Sequence, residues 1–507
     1  MKRAVLFIIC LLMLAGLPGC GKNRSGDPSA SGGEPIVIAT PQPHSTAEGN
    51  TAETSQPTEQ PSEQPTPQLS ETPTETPTET PEAVPTQEPR IPSDVEEAVA
   101  MYEGYPVGYD RIYRDDAPLY GPIPEPRFTM GEDGIYRSSE ANGDNEAVIM
   151  LTGDLMCQTR QQLAAKTDTT YDFRGEFYYV KDLFAKADFV IGNLEASISP
   201  TAPYMSERSY VDGSPHLNCP ITYLDAVRYA GYDMVVMSNN HNCDLGVRGI
   251  YDTLDRVDKF KLMHTGVYRN ANECRYIVAD IDGIRVGFLS YSTYFNHKEE
   301  HLSNEGREAM LNTYSKERLS GDVEKVRAAG AEYVIVYIHW GVEYESDPGR
   351  VEIIPFKEKS TGLPITIRVP MDQQYELAQE IADSGVDYII GSHPHAIQPY
   401  DVLTSSDGRK VPIIYSMGNF TSHQKKDVSK DTMILRIVLS RGANGRIELT
   451  KEGYVPARMH VSYGGRSYTI LPLTYPYRKD NMSDQFAPAY FRITKVVGSK
   501  LTIMGTF

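Results

Sequence analysis

Five stretches of this sequence share one pattern, an apolar, β-branched run that delivers a polar side chain at or near its end. VIMLTGD closes on Asp154, FVIGNLE on Glu195, MVVMSNNH carries Asn240 and His241, VIVYIHW carries His339, and YIIGSHPH carries His393 and His395. Runs that are apolar at successive rather than alternate positions fit strands buried on both faces of a parallel sheet. The pattern predicts strands from Ala147 to Gly153, Phe189 to Gly192, Met234 to Met237, Tyr333 to Ile338 and Tyr388 to Ile390. Helical periods lie between them, from Phe177 to Ala187, Pro220 to Ala230, Gly246 to Val257, Lys316 to Ala329 and Gln373 to Ser384. Pro220 at a helix start and Gly231 just past its end are favoured terminal residues. Arg275 to Asp280 and Ile284 to Tyr291 read as a hairpin turned at Asp282-Gly283, a strong two-residue turn signal. Farther on, Val411 to Ser416, Met433 to Leu439 and Arg446 to Thr450 read as extended runs without helices. Strands alternating with helices, then strands alone, predict a layered α/β domain with added antiparallel strands.

The first fifth of the 507 residues does not follow this pattern. Lys2 and Arg3 precede an apolar run from Ala4 to Leu17, then Pro18, Gly19 and Cys20, the order of a secretory signal. Leu17-Pro18-Gly19-Cys20 resembles a bacterial lipobox, which implies removal of residues 1–19 and lipidation of Cys20, with stable anchoring from two or more acyl chains. Residues 20–92 are rich in Pro, Thr, Glu, Ser and Gln, and Pro57, Pro61, Pro65, Pro73, Pro77, Pro81, Pro85 and Pro89 fall on one four-residue period. Such spacing excludes helix and the composition cannot bury a core, so the segment is expected to be a disordered stalk of roughly 3 Å per residue. Residues 93–146 are expected to be an irregular extension with a short helix near Val95 to Tyr102, residues 147–456 the folded domain, and residues 457–507 a C-terminal extension. The formal net charge of −19 argues against binding nucleic-acid phosphates or anionic lipid through a general basic surface. The six cysteines include Cys10 in the signal and Cys20; the remaining four are too few for a disulfide-dense scaffold. Cys157 and Cys243 both follow polar tips closely, as a bridged pair or as buried free thiols.

Open α/β sheets bind ligands at the carboxyl edge of their strands, so the polar tips are expected to converge there on one metal site. Carboxylate, amide and imidazole together suit borderline divalent ions such as Mn, Fe or Zn. A carboxylate able to bridge, Glu195, favours two ions. A neighbouring imidazole outside the ligand set can protonate a leaving group. Glu343 is a candidate partner for the second nitrogen of His339. Asp244 and Asn193 are possible ligands or supports, Arg160 and Arg208 possible contacts for an anion, Asn419 a cleft or turn residue, and Trp340, the single tryptophan, a core residue.

The blocks GD, NLE, NNHNCDLG, HWGVEY, GSHPHAIQ and YSMGNF, in that order, resemble the poly-γ-glutamate capsule biosynthesis protein CapA family, a branch of the metallophosphatase-like (calcineurin-like phosphoesterase) superfamily. The resemblance covers about Ala147 to Ser422 and extends toward Pro456. It implies that Asp154 and His395 bind a first ion, that Glu195 bridges, that Asn240, His339 and His393 bind a second, and that His241 is the general acid. Met156 stands where many phosphatases of the superfamily have His, which leaves the first ion fewer protein ligands unless Asn193 supplies one. By the same resemblance the chain is expected to act at the extracellular face of a bacterial membrane in poly-γ-glutamate synthesis, release or export. Membrane-bound synthetase or export subunits are the implied partners, with no role for nucleic acid. The ligand pattern alone indicates only metal-assisted hydrolysis or transfer. An exported metal-dependent phosphoesterase and a non-catalytic, metal-assisted polymer-binding subunit are the alternatives.

Overall fold

Two eight-stranded sheets face one another, and the carboxyl ends of their parallel strands meet at one rim. The computed structural model describes residues 119–139, 145–200, 202, 204, 216–349, 351–357, 364–370, 373–474 and 483–505, with backbone alone at 351–357, 364–370, 463 and 483–485. These residues belong to one unit, Val84–Phe507. The signal, Cys20, the Pro-rich stalk, the helix expected near Val95 to Tyr102 and Arg208 lie outside the described residues. Among the described residues no helix is long and apolar enough to cross a membrane.

In chain order the strands are β1 Phe128–Met130, β2 Tyr136–Ser138, β3 Glu146–Leu155, β4 Phe189–Leu194, β5 Met234–Val236, β6 Met263–Thr265, β7 Ile277–Ile281, β8 Ile284–Ser292 and β9 Tyr333–His339. There follow β10 Val351–Lys357, β11 Pro364–Pro370, β12 Tyr388–Ser392, β13 Tyr400–Thr404, β14 Lys410–Ile414, β15 Asn419–Thr421, β16 Asp431–Arg441, β17 Ile447–Val461 and β18 Tyr468–Pro472. One sheet runs β1-β2-β7-β8-β9-β12-β14-β13 and the other β18-β17-β16-β3-β4-β5-β6, with β15 beside β3; β10 and β11 form a separate ribbon. Strands β3 to β6 are mutually parallel, as are β8, β9, β12 and β14. The outer strands β16, β17 and β18 are antiparallel, so the layered α/β class with antiparallel additions is what the chain adopts.

Apolar side chains from both inner faces make the central core, including Ile149, Leu151 and Ile191 from one sheet and Val286, Ile335 and Ile390 from the other. Phe189 stacks on Phe288 across the gap, with centroids 5.0 Å apart. Each such side chain contributes about 1.5–3 kcal/mol by leaving water. A second apolar layer packs Leu224, Ile250 and Leu254 on the outer face of β3, β4 and β5. A third packs Leu319, Val323 and Ile381 on the outer face of β9 and β12. The helix Gly246–Lys259 buries Gly249, Ile250, Thr253, Leu254 and Val257, one face at the helical period. The helix Lys316–Ala328 is capped by Ser315, whose side chain accepts from the Arg318 N–H.

The hairpin β7–β8 turns at Asp282 and Gly283, both with left-handed φ, as the Asp-Gly pair predicts. The helix expected from Phe177 to Ala187 is instead a 3₁₀ turn Arg174–Phe177 and a single α-turn Lys181–Phe184. Phe177, Val180 and Phe184 are all fully buried, and packing rather than a continuous ladder fixes this stretch. The irregular extension contains two short strands, β1 and β2, of which β2 joins β7 in parallel. Arg127 Nε clasps the buried Asp233 at 2.9 Å. Strand β17 crosses residue 456, so the C-terminal segment continues the second sheet.

Candidate metal centre

Cross-strand register brings the polar tips level. In one sheet Asn419, Asp154, Asn193 and Val236 lie on one row across β15, β3, β4 and β5. In the other, Ser292, His339 and Ser392 lie on one row across β8, β9 and β12. The β3–β4 register shifts between Leu151 and Asp154, an irregularity of the sort that re-aims a side chain beside a site. The loop from Tyr415 to Asn419 crosses these ends so closely that Gly153 is required: a Cβ there would lie 1.9 Å from the Gly418 carbonyl oxygen. Gly391, before the His393-Pro394-His395 loop, is required likewise, with 1.8 Å to the Tyr415 oxygen. His393 and His395 both take left-handed φ, 94° and 54°, a strain of about 1–3 kcal/mol each that the fold must hold in place.

The six expected ligands Asp154, Glu195, Asn240, His339, His393 and His395 are all buried and all converge. One oxygen of Glu195 lies 3.8 Å from His241 Nε2, 3.9 Å from His339 Nε2 and 3.8 Å from His395 Nε2. Asp154 Oδ2 lies 3.5 Å from His395 Nδ1 and accepts the His393 N–H at 3.5 Å. Asn240 Oδ1 meets His339 Nε2 at 3.0 Å, and His393 Nδ1 meets the same nitrogen at 3.1 Å. Donor atoms of Glu195, His393 and His395, and of Asp154, Glu195 and His339, form two groups each within 4.8 Å.

Neither carboxylate oxygen of Glu195 has a hydrogen-bond partner, although the residue is fully buried. An unpaired buried carboxylate is costly, and burial, then the nearby Asp154, pushes its carboxyl well above the usual range. Burial, then the neighbouring imidazoles, holds His339 and His393 well below the ordinary histidine value, hence neutral. Neutral imidazoles around an orphaned carboxylate are the donor set of a divalent cation site, and the residues present fit one.

Supporting residues fix the tautomers. His395 Nδ1 is 2.8 Å from Asn419 Oδ1; the Asn419 amide N–H groups are spent on Ser422, Gln424 and the Ser429 carbonyl. Nε2 of His395 therefore faces Glu195. His339 Nδ1 is held by Ser392 Oγ at 2.9 Å, so the partner expected in Glu343 is in fact Ser392. Glu343 is exposed and acts on Glu195 only through its charge. Asn193 donates to Asp154 Oδ1 at 2.8 Å and accepts from Asn239 at 3.2 Å, which makes it a support for Asp154. Asp244 holds His241 Nδ1 at 2.8 Å and accepts from the buried Lys298 at 2.8 Å. Burial alone would raise the Asp244 carboxyl, but His241 and Lys298 outweigh it and hold it well below the usual range. His241 thus stands between a fixed carboxylate and the centre.

Met156 is buried against Leu217. Trp340 is buried and donates to the Tyr415 carbonyl at 2.9 Å, and Arg160 is exposed. Cys157, Cys219, Cys243 and Cys274 are free thiols, and the neighbour of Cys157 is Cys219 rather than Cys243. Sequence reasoning missed Tyr294, Asn296 and Lys298, which reach the centre from the loop after β8. No sequence signal marks them, because only the parallel pairing of β8 with β9 brings the end of β8 to this rim.

The profile of the family described as bacterial capsule synthesis protein PGA_cap matches residues 148–353 and 366–424, just over half of the chain. The PGA biosynthesis protein CapA of Bacillus subtilis (strain 168) is 26% identical over 282 residues, covering 54% of this chain and 63% of that protein. The capsule biosynthesis protein CapA of Bacillus anthracis is 26% identical over 298 residues, covering 58% and 64%. The chain therefore spans a little under two thirds of the length of these relatives. Among solved structures, Haemophilus influenzae NAD nucleotidase superposes with a TM-score of 0.37 at 9% identity, covering 70% of this chain and 63% of that chain. With the family match running over the residues that build the buried rim, the chain belongs to the bacterial capsule synthesis protein PGA_cap family.

Proposed function

We propose that this chain is an exported, lipid-anchored protein whose centre holds two divalent ions, Mn, Fe or Zn, and carries a hydrolytic or transfer step in poly-γ-glutamate synthesis, release or export. The observation that carries the metal-centre reading is the fully buried Glu195 carboxylate, without a hydrogen-bond partner and ringed by three imidazole Nε2 atoms. The lipobox-like Leu17-Pro18-Gly19-Cys20 and the Pro-rich stalk support placement at the outer membrane surface, and the names of the Bacillus relatives support the polymer.

In this reading Asp154, Glu195 and His395 would hold one ion, and Glu195, Asn240, His339 and His393 would hold the other. Bound ions of this kind supply a hydroxide nucleophile and neutralise charge on the attacking and leaving oxygens. The protein's own groups do the rest. Asp244 keeps the proton of His241 on Nδ1 and stabilises the imidazolium, which leaves Nε2 to carry a proton toward a leaving group. Lys298 neutralises Asp244, so the carboxylate is tolerated in a dry site. Asn419 and Ser392 hold the rings of His395 and His339 in their productive tautomers.

A second reading, an exported metal-dependent phosphoesterase, is favoured by the His241–Asp244 pair, since a fixed acid facing the centre suits an alkoxide leaving group. The test is a panel of phosphoesters and γ-glutamyl polymers with Mn-loaded wild type and His241→Ala. Turnover of the γ-glutamyl polymer that falls at least about 100-fold in His241→Ala is expected. Phosphoester turnover alone would favour the second reading. Metal-dependent polymer retention unchanged by His241→Ala, with no turnover, would refute a catalytic role.

A further inference from the structure

The loop after β8 belongs to none of the sequence motifs, yet it sends three side chains to the centre. The Tyr294 hydroxyl lies against both ring nitrogens of His393, 3.0 Å from Nδ1. Asn296 Oδ1 accepts from Asn240 Nδ2 at 3.2 Å, and Lys298 Nζ donates to Asp244 at 2.8 Å. Asn296 and His297 in between both take left-handed φ, 58° and 61°. Two successive strained residues persist only where their surroundings over-determine them, and His297 itself points into solvent. The strain therefore serves the delivery of its neighbours.

We propose that Tyr294 is a substrate-contacting residue, whose phenolic O–H donates a hydrogen bond to an oxyanion, phosphoryl or carboxylate, held at the metal centre. The inference rests on the metal-centre reading above. The hydroxyl meets the ring nitrogens of His393 and the side chain of Asn240. A ring nitrogen accepts a hydrogen bond through the same lone pair it offers a cation, so once His393 ligates an ion that acceptor is gone. The phenol cannot swing far. Its ring packs edge-on against His393 with centroids 4.9 Å apart. Its backbone is pinned by Ser292 Oγ, which donates to the Tyr294 carbonyl at 2.7 Å, and by the Thr293 N–H to the His339 carbonyl at 3.0 Å. The residue is half-buried. A fixed donor beside His393 supplies an oxyanion with orientation the ions alone do not.

Calorimetric titration of the Mn-loaded full chain with orthophosphate and with γ-glutamylglutamate, wild type beside Tyr294→Phe, tests this, together with metal content and melting temperature of each. Binding of at least one of the two by wild type is expected, weakened roughly tenfold or more in Tyr294→Phe by loss of one hydrogen bond to a charged group. Metal content and melting temperature are expected to stay unchanged. Whichever ligand shows the loss identifies the source of the oxyanion. Equal affinities in the two proteins, or weakening accompanied by metal loss, would overturn the assignment, the latter making Tyr294 a positioning residue for His393. Metal-loaded wild type that binds neither ligand would overturn the oxyanion site and leave the metal centre standing. Wild type that retains no metal would overturn both.

Discussion

Replacing Glu195 by Gln is predicted to have opposite effects on the metal-free and metal-loaded protein. Without metal, the Glu195 carboxylate is buried, partnerless and close to Asp154. Removing its charge recovers about 1–3 kcal/mol, the usual cost of an unsatisfied buried group. Because its folded pKa lies well above the ordinary 4.5, the stability linked to its protonated form is complete below pH 4.5. That stability is lost as pH rises toward the folded value. The advantage of Glu195→Gln in the metal-free state should therefore be absent near pH 4.5 and grow toward neutral pH. With Mn at about 1,000 times its dissociation constant, wild type gains about 4.1 kcal/mol and the variant, lacking the central carboxylate, gains little. The order of stability inverts on adding metal. Thermal melts at pH 7.5 in chelator and in excess Mn read this directly, at roughly 2 °C per kcal/mol for a chain of this size. A Glu195→Gln protein less stable than wild type in chelator, or one that keeps the full Mn shift, would refute the reasoning.

Glu176 is buried with Gln161 as its donor, and burial pushes its carboxyl up to about 8. Its contribution to stability is present below about pH 4.5 and lost as pH rises through about 8, so Glu176→Gln should flatten the decline of melting temperature across that window. Asn419→Ala frees the ring of His395 and should weaken metal affinity about 10- to 100-fold in a competitive chelator titration. The melting temperature should change less than in core variants. Gly391→Ala drives a Cβ into the Tyr415 carbonyl and should cost about 1–3 kcal/mol or more, with metal content falling because the two histidines that follow are displaced.

The strand-and-tip pattern made most of the centre legible, because a buried parallel strand is largely apolar along its length and the first carboxylate or imidazole after the run marks where it leaves the core. Asp154, Glu195, His339 and His393 stand out on that ground alone. Residues whose value lies in a long-range contact carry no such mark. Ser392 reads as a strand end, Asn419 as a turn, and nothing near Tyr294 or Lys298 announces that β8 ends beside β9. Glu343 was an attractive partner for His339 by proximity in sequence, but the in-register Ser392 on the adjacent strand reaches the ring first. The stretch from Phe177 to Ala187 has helical period, yet its bulky buried aromatics pack as two short turns. The two-stranded ribbon of β10 and β11 interrupts the expected alternation between β9 and the next helix, and an insertion of that kind leaves no periodic trace.

The most direct test is the metal content of the full chain purified under Mn-replete conditions, by elemental analysis of wild type, Glu195→Ala and His395→Ala. About two ions per chain in wild type, with most of that metal lost in both variants, is the predicted result. Equal metal content in all three proteins would contradict the convergence of these side chains on a cation.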